Sequence, residues 1–147
     1  MVGCSVRTIN VKDANITRKE ANLRDGDVLL VLRGRFQRNN SWDVKARMAM
    51  LDTILKGYQC APIYIIEDEP RNVEDVFDGA HRLETACDFV ENRWPITKCN
   101  SDSLTWELSP LSAYEGVYWK DLPADIKNKF RFYEFVVNVI PPEVADS

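Results

Sequence analysis

The chain has one histidine, and it lies in the stretch DVFDGAHRLETACDF, residues 75–89. Asp78 and Gly79 read as a turn, and an apolar pattern of helical spacing begins directly after them. The first amide N–H groups of a helix lack partners and carry the positive end of its dipole, which makes them a ready site for an anion. Gly79 has no side chain to hold an anion away from the main chain. His81 and Arg82 add donors, and a guanidinium can grip a phosphate through two parallel hydrogen bonds. Stepping round a helix at about 100° per residue from His81 puts Glu84, Thr85 and Asp88 on its own side. Leu83, Ala86, Cys87 and Val90 then cluster near the opposite side, so the helix is expected to pack through them and to point His81 away from the core. A phosphate-binding imidazole and a plainly solvated one both fit that placement.

A second constellation is RGRFQRNNSW, residues 33–42. Arg33, Arg35 and Arg38 fall within six residues, with Gln37 among them. A basic loop that keeps a strand end soluble is the plain reading, and a set of phosphate donors is the functional one. Both constellations are expected at a strand terminus followed by a helix, which is where open α/β layers place their ligands. Several arginines focused on one crevice of an acidic chain suit a nucleotide better than a long duplex.

The elements that must position these groups can be read from pattern. VLLVL, residues 28–32, is apolar on both faces and reads as an interior strand. Ser41 is a fitting N-cap for a helix on which Val44, Met48, Leu51 and Leu55 recur at helical spacing, and Gly57 is a fitting stop. APIYII is a second strand, EDEPRN a charged hairpin or loop, and VEDVF a short third strand. A helix is expected from about Gly79 to Arg93, closed by Pro95. SLTWEL suggests a strand, and LSAYEGVYW an aromatic loop whose Tyr114, Tyr118 and Trp119 either cover a small core or meet a protein partner. Asp121 and Pro123 open a last helix, and FYEFVVNVI, residues 132–140, is a final strand. Residues 4–27 mix polar and apolar positions and end on the turn LRDGD. The expectation is one α+β domain over residues 1–147, a small mixed sheet with packed helices.

Composition narrows the functions. The formal charge of -4 and a pI near 5.1 weigh against bulk electrostatic binding to nucleic acid or anionic membrane. The cysteines, at 4, 60, 87 and 99, form no CxxC pair, and with a single histidine they make no zinc set. They read as free thiols, with Cys87 on an apolar helix face and Cys60 before a strand expected to be buried. No signal peptide and no apolar run of membrane-spanning length is recognisable, so the chain reads as cytoplasmic and reduced.

Taken in order, FQRNNSW, LDTILKGYQCAPIYII, VFDGAHRLETACDFVENRW and YWKDLPADIKNKFRFYEFVVNVI resemble the ParB-like N-terminal domain of GmrSD-type modification-dependent restriction systems. That family shows a QR-x-x-x-W segment, a helix, a strand and a D-G-Q-Q-R helix start. The wider ParB/sulfiredoxin superfamily, which includes free-serine kinases, uses a D-G-x-H-R form that DGAHR matches. The resemblance covers roughly residues 28–94 and 118–140. It implies a ParB/sulfiredoxin-like fold that binds a nucleoside triphosphate, with magnesium as the accompanying ion, and hydrolyses it or transfers its phosphoryl group. Carried over, Gln37 and Arg38 form the first motif and Asp78, Gly79, His81 and Arg82 the second, with Arg38 and Arg82 on phosphate oxygens; Gln37 and Gly79 bind the ligand with them, and Arg35, from the basic constellation itself, is placed with this ligand-binding set. His81 contacts or protonates a phosphoryl oxygen, and Asp78 orients a water or only caps the helix.

Ala80 and His81 stand where GmrSD-type relatives carry Gln, which separates this chain's chemistry from theirs. Many relatives also carry an HNH nuclease domain, which needs at least two histidines and is excluded by composition. The alternative to a triphosphatase is a non-catalytic binding or regulatory module of a nucleic-acid defence system. A metal-dependent DNA-nicking enzyme ranks below both, because the acids in EDE and VED read as solvated loop; nucleic acid is left open as a partner.

Overall fold

Asp43 starts the helix that the spacing of Val44, Met48, Leu51 and Leu55 demands. This helix, α1, runs over Val44–Lys56. The Asp43 carboxylate accepts the Ala46 N–H at 2.9 Å, satisfying one of the orphan donors of the first turn. The cap is therefore Asp43 and not Ser41; both residue types cap well, but a carboxylate also complements the helix dipole. At the other end Gly57 takes φ 71°, and the Tyr58 and Gly57 N–H groups reach back to the carbonyls of Thr53 and Ile54 at 3.1 and 3.0 Å. This is the left-handed stop that a glycine makes at no steric cost.

A computed structural model describes residues 5–11, 16–17, 29–31, 42–68 and 73–141. The chain divides into two compact units. One comprises Met1–Asn40, Ala61–Ala80 and Glu134–Ser147, and the other Ser41–Cys60 and His81–Tyr133.

The first unit is a mixed sheet. Its strands are β1 (Ser5–Ile9), β2 (Ile16–Thr17), β3 (Leu29–Val31), β4 (Ile63–Asp68), β5 (Val73–Asp78) and β6 (Phe135–Ile140), in the order β1-β6-β4-β5-β3-β2. β1 runs antiparallel to β6 and β4 antiparallel to β5, while β4 and β6, β3 and β5, and β2 and β3 run parallel. β6 alternates as a strand with one better-covered face does: Phe135, Val137 and Val139 are buried and the residues between them half-buried. On β4 the neighbours Ile65 and Ile66 are both fully buried, so this strand is covered on both faces. β1 and β2 lie where no strand was expected, because short edge strands carry too few residues to show a period of two.

The second unit is helical. It holds α1, α2 (Ala80–Val90, of which Ala80 falls in the first unit), α3 (Ala124–Arg131) and three short 3-10 helices at Trp106–Leu108, Pro110–Tyr114 and Trp119–Asp121. α2 stops at Val90, short of the expected Arg93. Asn92 takes φ 60°, its N–H bonds the Phe89 carbonyl at 2.9 Å, and the Arg93 N–H bonds that of Asp88 at 3.0 Å. Asparagine tolerates the left-handed conformation and so ends the helix before Pro95 is reached. SLTWEL is not a strand: Ser101 and Leu104 form an isolated bridge, and Trp106 begins a 3-10 helix. Pro123 stands at the N-cap of α3, one position earlier than the first turn. The buried side chains of this unit include Met48, Leu51, Ile54, Leu83, Ala86, Phe89, Ile96 and Phe130. Phe89 and Phe130 meet edge to face at 4.8 Å. The protein is thus a mixed α/β chain.

Candidate functional site

The turn expected at Asp78–Gly79 is present. β5 ends at Asp78, Gly79 takes φ 92°, and α2 begins at Ala80. That φ belongs to glycine, since a Cβ would crowd the backbone there. The ladder is irregular just before the turn. Tyr64 pairs with Asp78 and Ile65 with Val76, so two steps along β5 answer one along β4. Such a bulge bends the strand and re-aims the residues beyond it. Asp78 and Gly79 belong to the first unit, His81 and Arg82 to the second, and the peptide chain joins them directly.

His81 is half-buried, and its ring lies 5.7 Å from that of Trp42 at an interplanar angle of 66°. Arg82 is half-buried as well. Leu83, Ala86 and Cys87 are buried as the helical wheel requires, but so are Glu84 and Thr85 on the side of His81. The face expected to be solvated is therefore largely covered. A wheel counts only a helix's own apolar residues, whereas burial depends on what the rest of the chain lays against it. Arg33, Arg35, Gln37 and Arg38 lie outside the described residues; Trp42, the end of the same segment, is the part that reaches His81.

Three further polar groupings of the second unit carry little signal in the sequence. Asp52, only 5% exposed, accepts the Ser109 hydroxyl at 2.6 Å and pairs with Lys56 at 2.9 Å. The one signal for it is its position one turn after Met48, an acid inside the apolar stripe of α1. Trp119 donates its indole N–H to the Lys127 carbonyl at 3.2 Å and lies near two cations, Lys127 at 5.2 Å and Arg131 at 5.9 Å. Tyr114 and Trp119 are half-buried and Tyr118 is 36% exposed, so most of the aromatic stretch is already packed.

The third grouping centres on Tyr133. Its hydroxyl accepts the Cys60 N–H at 3.0 Å and donates to the Tyr58 carbonyl at 2.6 Å, tying down the segment that leaves α1. Cys60 is half-buried and not buried as expected, whereas Cys87 is buried. Burial, followed by the interaction with the Cys60 side chain, pushes the Tyr133 phenol up to about 12 from its usual 10, against the opposing pull of the Cys60 backbone N–H, which favours the phenolate. The folded state thus holds the phenol's proton more tightly than the unfolded chain does. The resulting stabilisation is complete below pH 10 and is lost as pH rises from 10 through about 12. Melting temperature should consequently fall more steeply across that window in the wild type than in Tyr133→Phe; parallel curves would show that the phenol is not held in this way.

Among the described residues there is no group of three or more His, Cys, Asp or Glu side chains fit to hold a metal ion, and no helix long and apolar enough to cross a membrane. Comparison of the chain with family models, with curated proteins and with solved structures returned no match.

Proposed function

We propose that this chain binds a nucleoside triphosphate, accompanied by magnesium, at the start of α2 and hydrolyses it in a ParB/sulfiredoxin-like fold. The observation that carries the reading is the contact between Trp42 and His81. It joins the end of the arginine-rich segment to the first turn of the helix after Asp78–Gly79, and those are the two segments with phosphate-binding chemistry. Gly79, at positive φ, supports it, because the turn residue itself adds no Cβ beside the first amides of α2.

In this reading Arg38 and Arg82 hold phosphate oxygens, with Arg35 and Gln37 contributing from the same stretch of sequence as Arg38. Asp78 orients the attacking water, whose oxygen bonds to the terminal phosphorus as the bond to the bridging oxygen breaks. His81 protonates a phosphoryl oxygen and regains a proton from the one that the attacking water gives up, and the products are a nucleoside diphosphate and inorganic phosphate. Magnesium arrives with the nucleotide and offsets phosphate charge.

Melting curves with the four magnesium ribonucleoside triphosphates test the proposal. A ligand at a hundred times its Kd stabilises the folded state by about 2.7 kcal/mol, so one or more of the four should raise the melting temperature by several degrees. Arg82→Ala and Arg38→Ala should abolish the rise. No shift with any of them at millimolar ligand would overturn the reading. Binding without phosphate release would make the chain a nucleotide-dependent module and not a triphosphatase.

A further inference from the structure

We infer that Trp42 is a positioning residue, whose indole holds the His81 imidazole in one orientation. The role of that orientation in turnover rests on the proposed function, whereas the contact does not. The rings meet at 5.7 Å and 66°, the edge-to-face arrangement that the ring quadrupole favours. An imidazole has a broad, nearly two-fold torsion about its last side-chain bond. Left without a ring neighbour it would sample that range, and the Trp42 indole on one side restricts it.

Trp42 is itself held on a fixed stem. The next residue, Asp43, is extended at φ -78° and ψ 177° and is locked by its bond to the Ala46 N–H, so the direction in which the chain leaves Trp42 is set by the cap of α1. Further along α1, Arg47 lies 5.1 Å from the Trp94 ring centre, and Trp94 packs on Phe89 of α2 at 5.7 Å. The start of α1 is therefore tied to α2 both directly through His81 and indirectly through Trp94.

The single histidine makes the test direct, because its imidazole C–H protons give one isolated set of NMR signals. In the ligand-free wild type these signals should be displaced from free-imidazole positions by the indole ring current. Trp42→Leu should return them towards the free positions, and Trp42→Phe should retain part of the displacement. In phosphate release from the magnesium triphosphates, Trp42→Leu should lower kcat by at least about tenfold with a much smaller change in KM, since misplacing a group costs the chemical step more than binding. Trp42→Phe should recover much of that loss, and melting curves of both variants establish that they are folded. Imidazole signals in Trp42→Leu that coincide with the wild type would overturn the inference, as would an unchanged kcat. A wild type that neither binds nor hydrolyses any triphosphate, yet shows the displaced signals, would overturn the nucleotide reading while upholding the ring contact.

Discussion

Phe89→Ala should lower the unfolding free energy by about 4 kcal/mol, the range found when a large aromatic side chain is removed from a packed interior. Phe89 is fully buried on α2 and touches two further rings, Phe130 at 4.8 Å and Trp94 at 5.7 Å. Its deletion removes the transfer free energy of the ring and leaves a cavity. It also removes an edge-to-face pair worth about 1 kcal/mol beyond area. Phe130 comes from α3, so the pair joins two helices that are far apart in sequence, and neighbouring residues cannot close the gap by a rotamer change alone. Against a total stability of about 5–15 kcal/mol for a chain of this kind, the variant should stand near the edge of folding at 37 °C. Urea denaturation measures this directly, and Phe89→Leu should lose clearly less. A loss in Phe89→Ala below about 1.5 kcal/mol would mean that these rings do not form the centre of the helical unit.

Asp52→Ala should cost about 3 kcal/mol, and the reason is electrostatic. The carboxylate is almost wholly withdrawn from water, and it is tolerable there because the Ser109 hydroxyl donates to it at 2.6 Å and the Lys56 ammonium stands at 2.9 Å. Removing one member of a buried charged set leaves the others unsatisfied, which costs about 3–5 kcal/mol. The lower end applies because Lys56 is 37% exposed and can turn to solvent. Ser109→Ala should cost less, about 1–2 kcal/mol, since Lys56 still neutralises Asp52. That variant also frees the Leu111 N–H, which Ser109 Oγ accepts at 3.1 Å at the start of a 3-10 helix. The double variant should lose less than the sum of the two, by about 1 kcal/mol, because the two groups share one hydrogen bond. Strict additivity would sink the claim that this bond ties α1 to the 3-10 segment.

Elements whose signals are local were legible in the order of residues. Val44, Met48, Leu51 and Leu55 recur at a period that only a helix places on one face, and Gly57 ends it because glycine adopts a positive φ without strain. Asp78, Gly79 and the apolar run after them set the strand–turn–helix junction for the same reason. Where two local signals compete, the choice stays open at the level of sequence: Ser41 and Asp43 are both able caps, and Asn92 and Pro95 both able stops. In the structure the helices use Asp43 and Asn92.

Meetings of residues distant along the chain were not legible there and come from the folded arrangement. Asp52 with Ser109, Cys60 with Tyr133, Phe89 with Phe130 and Trp42 with His81 are each separated by dozens of residues. No periodicity encodes such a pair, because a hydrogen bond or ring contact depends on where two elements come to rest and not on the spacing within either. The burial of Glu84 and Thr85 has the same origin. A helical wheel knows the residues of its own helix, while the free energy of burial is set by the neighbours that the rest of the chain brings.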